Sequence, residues 1–134
     1  MIQQISIYTE NTKGAMRRLL SVISDAGINV LGFWNGDSGE FGVVRLIVSE
    51  QEKALEVLAR QGYICKESSV LGIEIDDCPG SLVTLLQVIE QMNINIDYMY
   101  VGYRREDARP LIMIHCEDMD IISTQLKHKG YAVD

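Results

Sequence analysis

ISIYTENTKGAMRRLLSVISDAGINV, from Ile5 to Val30, lies over LGIEIDDCPGSLVTLLQVIEQMNINI, from Leu71 to Ile96, without a gap at a constant offset of 66 residues. Gly14 falls on Gly80, Met16 on Leu82, Leu19-Leu20 on Leu85-Leu86, Val22-Ile23 on Val88-Ile89, and Ile28-Asn29-Val30 on Ile94-Asn95-Ile96. Self-similarity of this length marks a repeated structural unit. The tails agree as well, with Gly62-Tyr63 matching Gly130-Tyr131 after a two-residue change of register. Each copy takes about half of the 134-residue chain, which divides it at 1–67 and 68–134.

Within each copy the hydrophobic period changes in a fixed order. Ile5, Ile7 and Thr9, like Leu71, Ile73 and Ile75, alternate as a half-buried strand does. Met16, Leu19, Leu20, Ile23 and Ala26, and likewise Leu82, Leu85, Leu86, Ile89 and Met92, line one face of a helix. Gly27 and Asn93 stop those helices. Ile28–Trp34 and Ile94–Val101 read as second strands, Phe41–Val48 and Pro110–Cys116 as third strands, with the polar stretches GDSGE and YRREDAR at the hairpin tips. Ser49-Glu50-Gln51-Glu52 has the pattern of a capping box and opens a helix that ends before Gly62. Its counterpart starts near Asp118 and sets Lys127, His128 and Lys129 where the helix dipole favours cations. Tyr63–Glu67 and Tyr131–Val133 are the short last strands.

The order is βαββαβ twice, an α+β chain. Right-handed crossovers put both helices of a copy on one side of a four-stranded antiparallel sheet, a ferredoxin-like sandwich. A unit of this size is marginal alone. The expectation is that edge strands of the two copies join into one eight-stranded sheet, which removes exposed edges, and that the bare sheet face packs in a homodimer.

Composition narrows the function. Hydrophobic residues make up 47% and charged residues 23%, the signature of a folded chain and not of a disordered one. No apolar run approaches a membrane span, and MIQQISIYTE has no basic and apolar leader pattern, so the expectation is a cytoplasmic protein without a membrane partner. Cys65, Cys78 and Cys116 are an odd number without CxxC spacing, which points to reduced thiols and away from a disulfide framework or a zinc site. The net charge of −7 opposes a nucleic-acid surface. Residues 1–67 carry 7 basic and 8 acidic side chains and residues 68–134 carry 5 and 11, so the acidity sits in the second copy.

The loop between first strand and first helix is Asn11-Thr12-Lys13-Gly14 in one copy and Asp77-Cys78-Pro79-Gly80 in the other. Asn11 or Asp77 can accept from the free N–H groups of the helix, Pro79 suits a first turn, and glycine lets a ligand or another backbone come close. Such a turn is a natural carboxylate site. It is also what any well-capped helix looks like, and both readings stand at this point. In each copy an asparagine, Asn29 or Asn95, follows 18 residues after the loop's first residue, where it serves as a strand-entry ligand group or as a turn residue.

The sequence (Asp/Asn)-x-Pro-Gly-x-Leu, a helix with a Leu-Leu pair, then Gly-x-Asn-Ile into the second strand resembles the ACT domain, the regulatory module of amino-acid biosynthetic enzymes. Asp77-Cys78-Pro79-Gly80-Ser81-Leu82 with Asn93-Ile94-Asn95-Ile96 carries the likeness. The first copy departs in Lys13 for proline and Met16 for leucine, the second in Asn93 where the first has Gly27. The two units cover essentially the whole chain, which is similar to the free-standing tandem ACT domain proteins. The resemblance implies a non-catalytic regulator without a cofactor or metal, which binds a free amino acid between paired domains. It implies contact through Asn11, Thr12, Lys13, Gly14, Ala15, Met16 and Asn29, and through Asp77, Cys78, Pro79, Gly80, Ser81, Leu82 and Asn95. A homodimer and a regulated enzyme in trans are the implied partners. Lys13 favours a ligand carboxylate and Asp77 an ammonium group, which leads to the expectation that the two sites are unequal.

Three other readings compete. An RNA-recognition domain shares the topology, but FGVVRLIV and PLIMIHCE lack its base-stacking aromatics. An enzyme would need a constellation that the chain does not offer: His115 and His128 lie on different elements, Arg104 and Arg105 sit beside Glu106 and Asp107, and no Walker or dinucleotide loop occurs. A docking subunit without its own ligand is compatible with the same fold. Trp34, Tyr98 and Tyr100 are pocket or core aromatics.

Overall fold

The computed structural model of the protein describes residues 1–39 and 41–134; Glu40, the last residue of the GDSGE tip, lies outside the described residues. The chain forms two compact units, one of Gln3–Ser68 and one of Ser69–Asp134 with Met1–Ile2.

In the first unit, β1 (Ile2–Glu10) is followed by α1 (Ala15–Asp25), β2 (Val30–Ser38), β3 (Phe41–Val48) and α2 (Gln51–Arg60). β3 is the antiparallel neighbour of both β1 and β2, with Ile5 opposite Leu46 and Ile7 opposite Val44. Those four side chains share one face, as the two-residue period requires. They are buried with Leu19 and Ile23 of α1 and Ala54 and Leu58 of α2. One side of the sheet therefore carries both helices.

The second unit repeats this. The later part of β4 (Ile64–Ile73), from Ser69 on, α3 (Ser81–Gln91), β5 (Ile96–Tyr103), β6 (Pro110–Cys116) and α4 (Met119–His128) follow in order, and β6 pairs antiparallel with β4 and β5. Leu71, Ile73, Ile112 and Ile114 are buried with Leu85, Ile89, Ile122 and Leu126. Each sheet also breaks register at the same place, between Val30 and Gly32 in β2 and between Ile96 and Tyr98 in β5.

Several expectations need correction. Among the described residues the expected eight strands are six. The expected last strand of the first copy and first strand of the second run together as β4, Ile64–Ile73, because Ser68-Ser69-Val70 contains no glycine, proline or asparagine to break an extended chain. Tyr131–Val133 contributes only a bridge between Ile73 and Val133, flanked by hydrogen bonds from Glu74 N to Ala132 O (3.1 Å) and from Asp134 N to Gly72 O (2.8 Å). On the sheet face away from the helices, Gln4, Ser6, Val70 and Met113 are buried. The second strands start at Val30 and Ile96, so Asn29 and Asn95 stand one residue before them rather than on them. The capping box does not form: α2 has no side-chain cap, and Ser49 instead accepts from Asn29 N through its Oγ (3.0 Å) and donates its own N–H to Asn29 O (2.9 Å). That exchange ties the start of β2 to the end of β3.

The helix stops behave as read. Gly27 has φ 73° and Asn93, at the equivalent position, φ 55°. Asparagine is among the few non-glycine residues that enter this left-handed region at modest cost, so it can replace the glycine. No helix among the described residues is long and apolar enough to cross a membrane.

Candidate functional site

Both strand-to-helix loops close in the same way. Ala15 N donates to Thr12 O at 3.1 Å and Ser81 N to Cys78 O at 3.3 Å. The helix is then entered through a glycine in the left-handed region, Gly14 at φ 82° and Gly80 at φ 88°. No side chain caps either helix, so the capping expected of Asn11 and Asp77 does not occur. Pro79 sits just outside α3 rather than in its first turn. Glycine serves here for its backbone: the left-handed cap would strain any residue with a Cβ.

Asn11 turns away from the helix and donates from Nδ2 to Gly39 O (3.2 Å) at the β2–β3 hairpin. Cys78 Sγ and Ser81 Oγ share a hydrogen bond of 2.9 Å across the second loop.

Beside each loop lies a cleft. In the second unit it measures about 590 Å³ and is walled by the segment after β4 (Glu74, Ile75, Asp76), the loop (Cys78, Pro79, Gly80), the start of α3 (Ser81, Thr84) and Lys129 to Ala132. In the first unit it measures about 330 Å³, between Tyr8, Thr9 and Glu10, Thr12, Ala15 and Arg18, and Gln61 to Ile64. The two linings correspond position by position: Glu10 to Asp76, Thr12 to Cys78, Ala15 to Ser81, Arg18 to Thr84, and Gly62-Tyr63 to Gly130-Tyr131.

Charge at the second cleft is organised by the β5–β6 hairpin. Arg104 Nη2 lies 3.0 Å from Glu74 Oε2 and Arg109 Nη1 lies 2.6 Å from Glu74 Oε1, so both carboxylate oxygens are engaged. Those hydrogen bonds, from Arg109 first and Arg104 second, hold the Glu74 carboxyl below its ordinary range. Arg104 also reaches Asp107 (3.4 Å) and Asp134 (3.2 Å), and its guanidinium is correspondingly raised. The Asp107 carboxyl is lowered, chiefly by the hydrogen bond it accepts from Arg109 N. The hairpin arginines read from sequence as an exposed tip are thus the clamp on one wall of the cleft. Asp76 and Lys129 contribute the other charges of the lining.

Of the residues named from sequence, the structure brings Cys78, Pro79, Gly80 and Ser81 into one cleft and Thr12 and Ala15 into the other. Asn11, Lys13, Gly14, Met16, Asp77, Leu82, Asn29 and Asn95 lie outside both linings. Asn29 borders a separate hollow of about 350 Å³ with Leu20, Ile28 and Phe33. Leu82 is 39% exposed and the neighbouring Val83 58%, whereas the helical period had placed Leu82 in the core. Sequence reading missed Asp76, Thr84, Lys129 and Tyr131. The matching Gly-Tyr pairs were the available signal for that last wall, since a repeat conserved in both sequence and position marks a shared geometric role.

Other groups singled out from sequence lie elsewhere. His115 on β6 has Nδ1 at 2.9 Å from Asp97 Oδ2, and its ring stacks on Tyr98 with centroids 4.9 Å apart. Arg45 lies over the Trp34 ring at 5.4 Å. All three cysteines are free thiols, and burial pushes Cys65 and Cys116 up. Among the described residues no group of His, Cys, Asp and Glu is arranged to hold a metal ion.

Comparison with known proteins adds the family context. The family described as ACT domain pair matches residues 1–118. A protein of Bacteroides thetaiotaomicron is 26% identical, with a TM-score of 0.88 over 99% of this chain and 91% of its own. The ligand-free regulatory subunit of aspartate kinase from Thermus thermophilus is 15% identical, with a TM-score of 0.64 over 96% of this chain and 91% of its own. A structure of aspartokinase alpha and beta subunits is 14% identical, with a TM-score of 0.58 over 96% of each chain. No curated protein matches the sequence.

Proposed function

The chain belongs to the ACT domain pair family, and from that membership we propose that it is a non-catalytic sensor which binds a free amino acid in the cleft of the second unit and regulates amino-acid metabolism through an enzyme in trans. The observation that carries the reading is the mixed charge of a cleft of about 590 Å³ beside a glycine-entered helix. That size falls within the range of small-molecule sites.

A zwitterion needs donors for its carboxylate and acceptors for its ammonium group. The N-terminal end of α3, the Ser81 hydroxyl and Lys129 supply the first; Asp76 supplies the second, because Glu74 is already engaged by Arg104 and Arg109. Ile75, Pro79, Tyr131 and Ala132 offer apolar contact to an amino-acid side chain. The fold shared with a regulatory subunit of aspartate kinase supports regulation as the role. Binding shifts an equilibrium between states only if their affinities differ, so the ligand acts by favouring one arrangement of the protein or of its partner.

The test is a thermal-shift screen against the twenty amino acids at millimolar concentration, with hits measured by calorimetry. A ligand confined to the folded state stabilises it by about 2.7 kcal/mol at a hundred times its dissociation constant. The expected result is a hit that Asp76→Asn weakens. A screen with no hit overturns the sensor reading in favour of a docking subunit without a ligand.

A further inference from the structure

We infer that Arg18 covers Gly14 and narrows the cleft of the first unit while its counterpart Thr84 leaves the second open, so that one chain takes one ligand molecule and takes it in the second unit. Both residues hold the fourth position of the helix that follows the loop. A Cβ built on Gly14 would lie 3.0 Å from Arg18 Nη1, whereas one built on Gly80 would meet nothing within 4 Å. The guanidinium therefore covers the glycine that a ligand would approach, and it donates to Lys13 O at 3.4 Å. Thr84 donates its hydroxyl to Gly80 O at 3.0 Å and leaves the space beside the Gly80 Cα open.

The volumes agree, about 330 Å³ against about 590 Å³, and Lys13 and Gly14 drop out of a lining to which Pro79 and Gly80 belong. The first cleft keeps a carboxylate, Glu10 for Asp76, but has Ala15 in place of Ser81 and Gln61 in place of Lys129, so it lacks the hydroxyl and the ammonium group of the second. Arg18 thus supplies from within the chain a planar cation that occupies the space over the loop. The closure stands on geometry alone; the stoichiometry rests on the amino-acid reading above.

Two measurements separate these parts. In the Thr12→Cys protein, the introduced thiol and native Cys78 sit at equivalent loop positions, and alkylation by neutral iodoacetamide is followed at each by peptide mass spectrometry. Cys78 is expected to react several-fold faster, and adding Arg18→Thr should raise the rate at position 12 several-fold. Charge alone predicts the opposite, since removing a nearby cation raises a thiol pKa and slows reaction. Equal rates at the two positions, or no gain on Arg18→Thr, overturn the closure. Calorimetry with the amino acid selected by the screen is expected to give one molecule per chain. Thr84→Arg should weaken it by about ten-fold or more, equivalent to about 1.4 kcal/mol, and Arg18→Thr should leave it no weaker. Two molecules per wild-type chain, or unchanged affinity in Thr84→Arg, overturn the assignment to the second unit. A screen without any hit overturns the amino-acid reading and leaves the alkylation result to decide the closure by itself.

Discussion

The first and second units agree in the core between sheet and helices and differ around the loops and on the sheet face away from the helices. Leu19 and Leu85, Ile23 and Ile89, Ile5 and Leu71, Ile7 and Ile73 occupy the same core positions. Around the loops, Lys13 corresponds to Pro79, Ala15 to Ser81 and Arg18 to Thr84. The sheet faces away from the helices differ too. The first unit places Gln4, Ser6 and Arg45 there, with Arg45 Nη1 donating to Ser6 Oγ at 2.7 Å and Gln4 Nε2 to Ser68 Oγ at 3.0 Å. The second places Val70, Met113 and Tyr100. Close packing tolerates little change of volume, whereas a loop mouth can change size and charge without loss of the fold. The comparison teaches that one scaffold carries two different clefts.

Substitution in the matched cores gives the largest effect. Leu19→Ala and Leu85→Ala each remove a fully buried leucine and should each cost about 2–5 kcal/mol in urea unfolding. A large inequality between them would break the claim that the two cores are equivalent. The helix stops come next. Ala at Gly27 or Asn93 meets a positive φ and should cost about 1 kcal/mol. Asn93→Gly should be neutral or slightly stabilising, which sharpens the reading that these positions differ in sequence and not in conformation; a clear loss would show that the Asn93 side chain has a role of its own.

The smallest effect separates the units by pH. The Glu74 carboxyl is held below its ordinary range in the folded protein by Arg109 and Arg104, so its contribution to stability is complete above the unfolded carboxylate value and is lost as pH falls through the folded one. Glu74→Gln should therefore lower the urea midpoint at neutral pH, with the difference from wild type vanishing in acid and shrinking with salt, as exposed ion pairs do. Tyr8 holds the equivalent place in the first unit, and Tyr8→Phe should show no loss of that kind between neutral and acid pH. A pH-independent effect of Glu74→Gln would assign Glu74 to packing instead of to the arginine clamp.

The repeat, the order of elements and most of the core were legible in the chain because they depend on local rules: alternation for strands, a 3.6-residue period for helices, and Gly27 or Asn93 at a left-handed stop. Phe41–Val48 and Pro110–Cys116 were bounded correctly for that reason. Leu82 obeys the helical period and is still exposed, because periodicity names a face without showing how far a neighbouring element covers it. The fusion of two expected strands into β4 likewise followed from Ser68-Ser69 lacking any break.

By itself the sequence determined that this protein is a pair of ACT-like units with a glycine-entered loop in each. Only the tertiary structure decided what surrounds those loops. Glu74, Arg104 and Arg109 are separated by some thirty residues and Gly80 and Lys129 by about fifty, so no local period or motif links them. A cleft is made by the empty space between distant side chains, which no local rule specifies, whereas Arg18 lies over Gly14 through a contact only four residues along the chain.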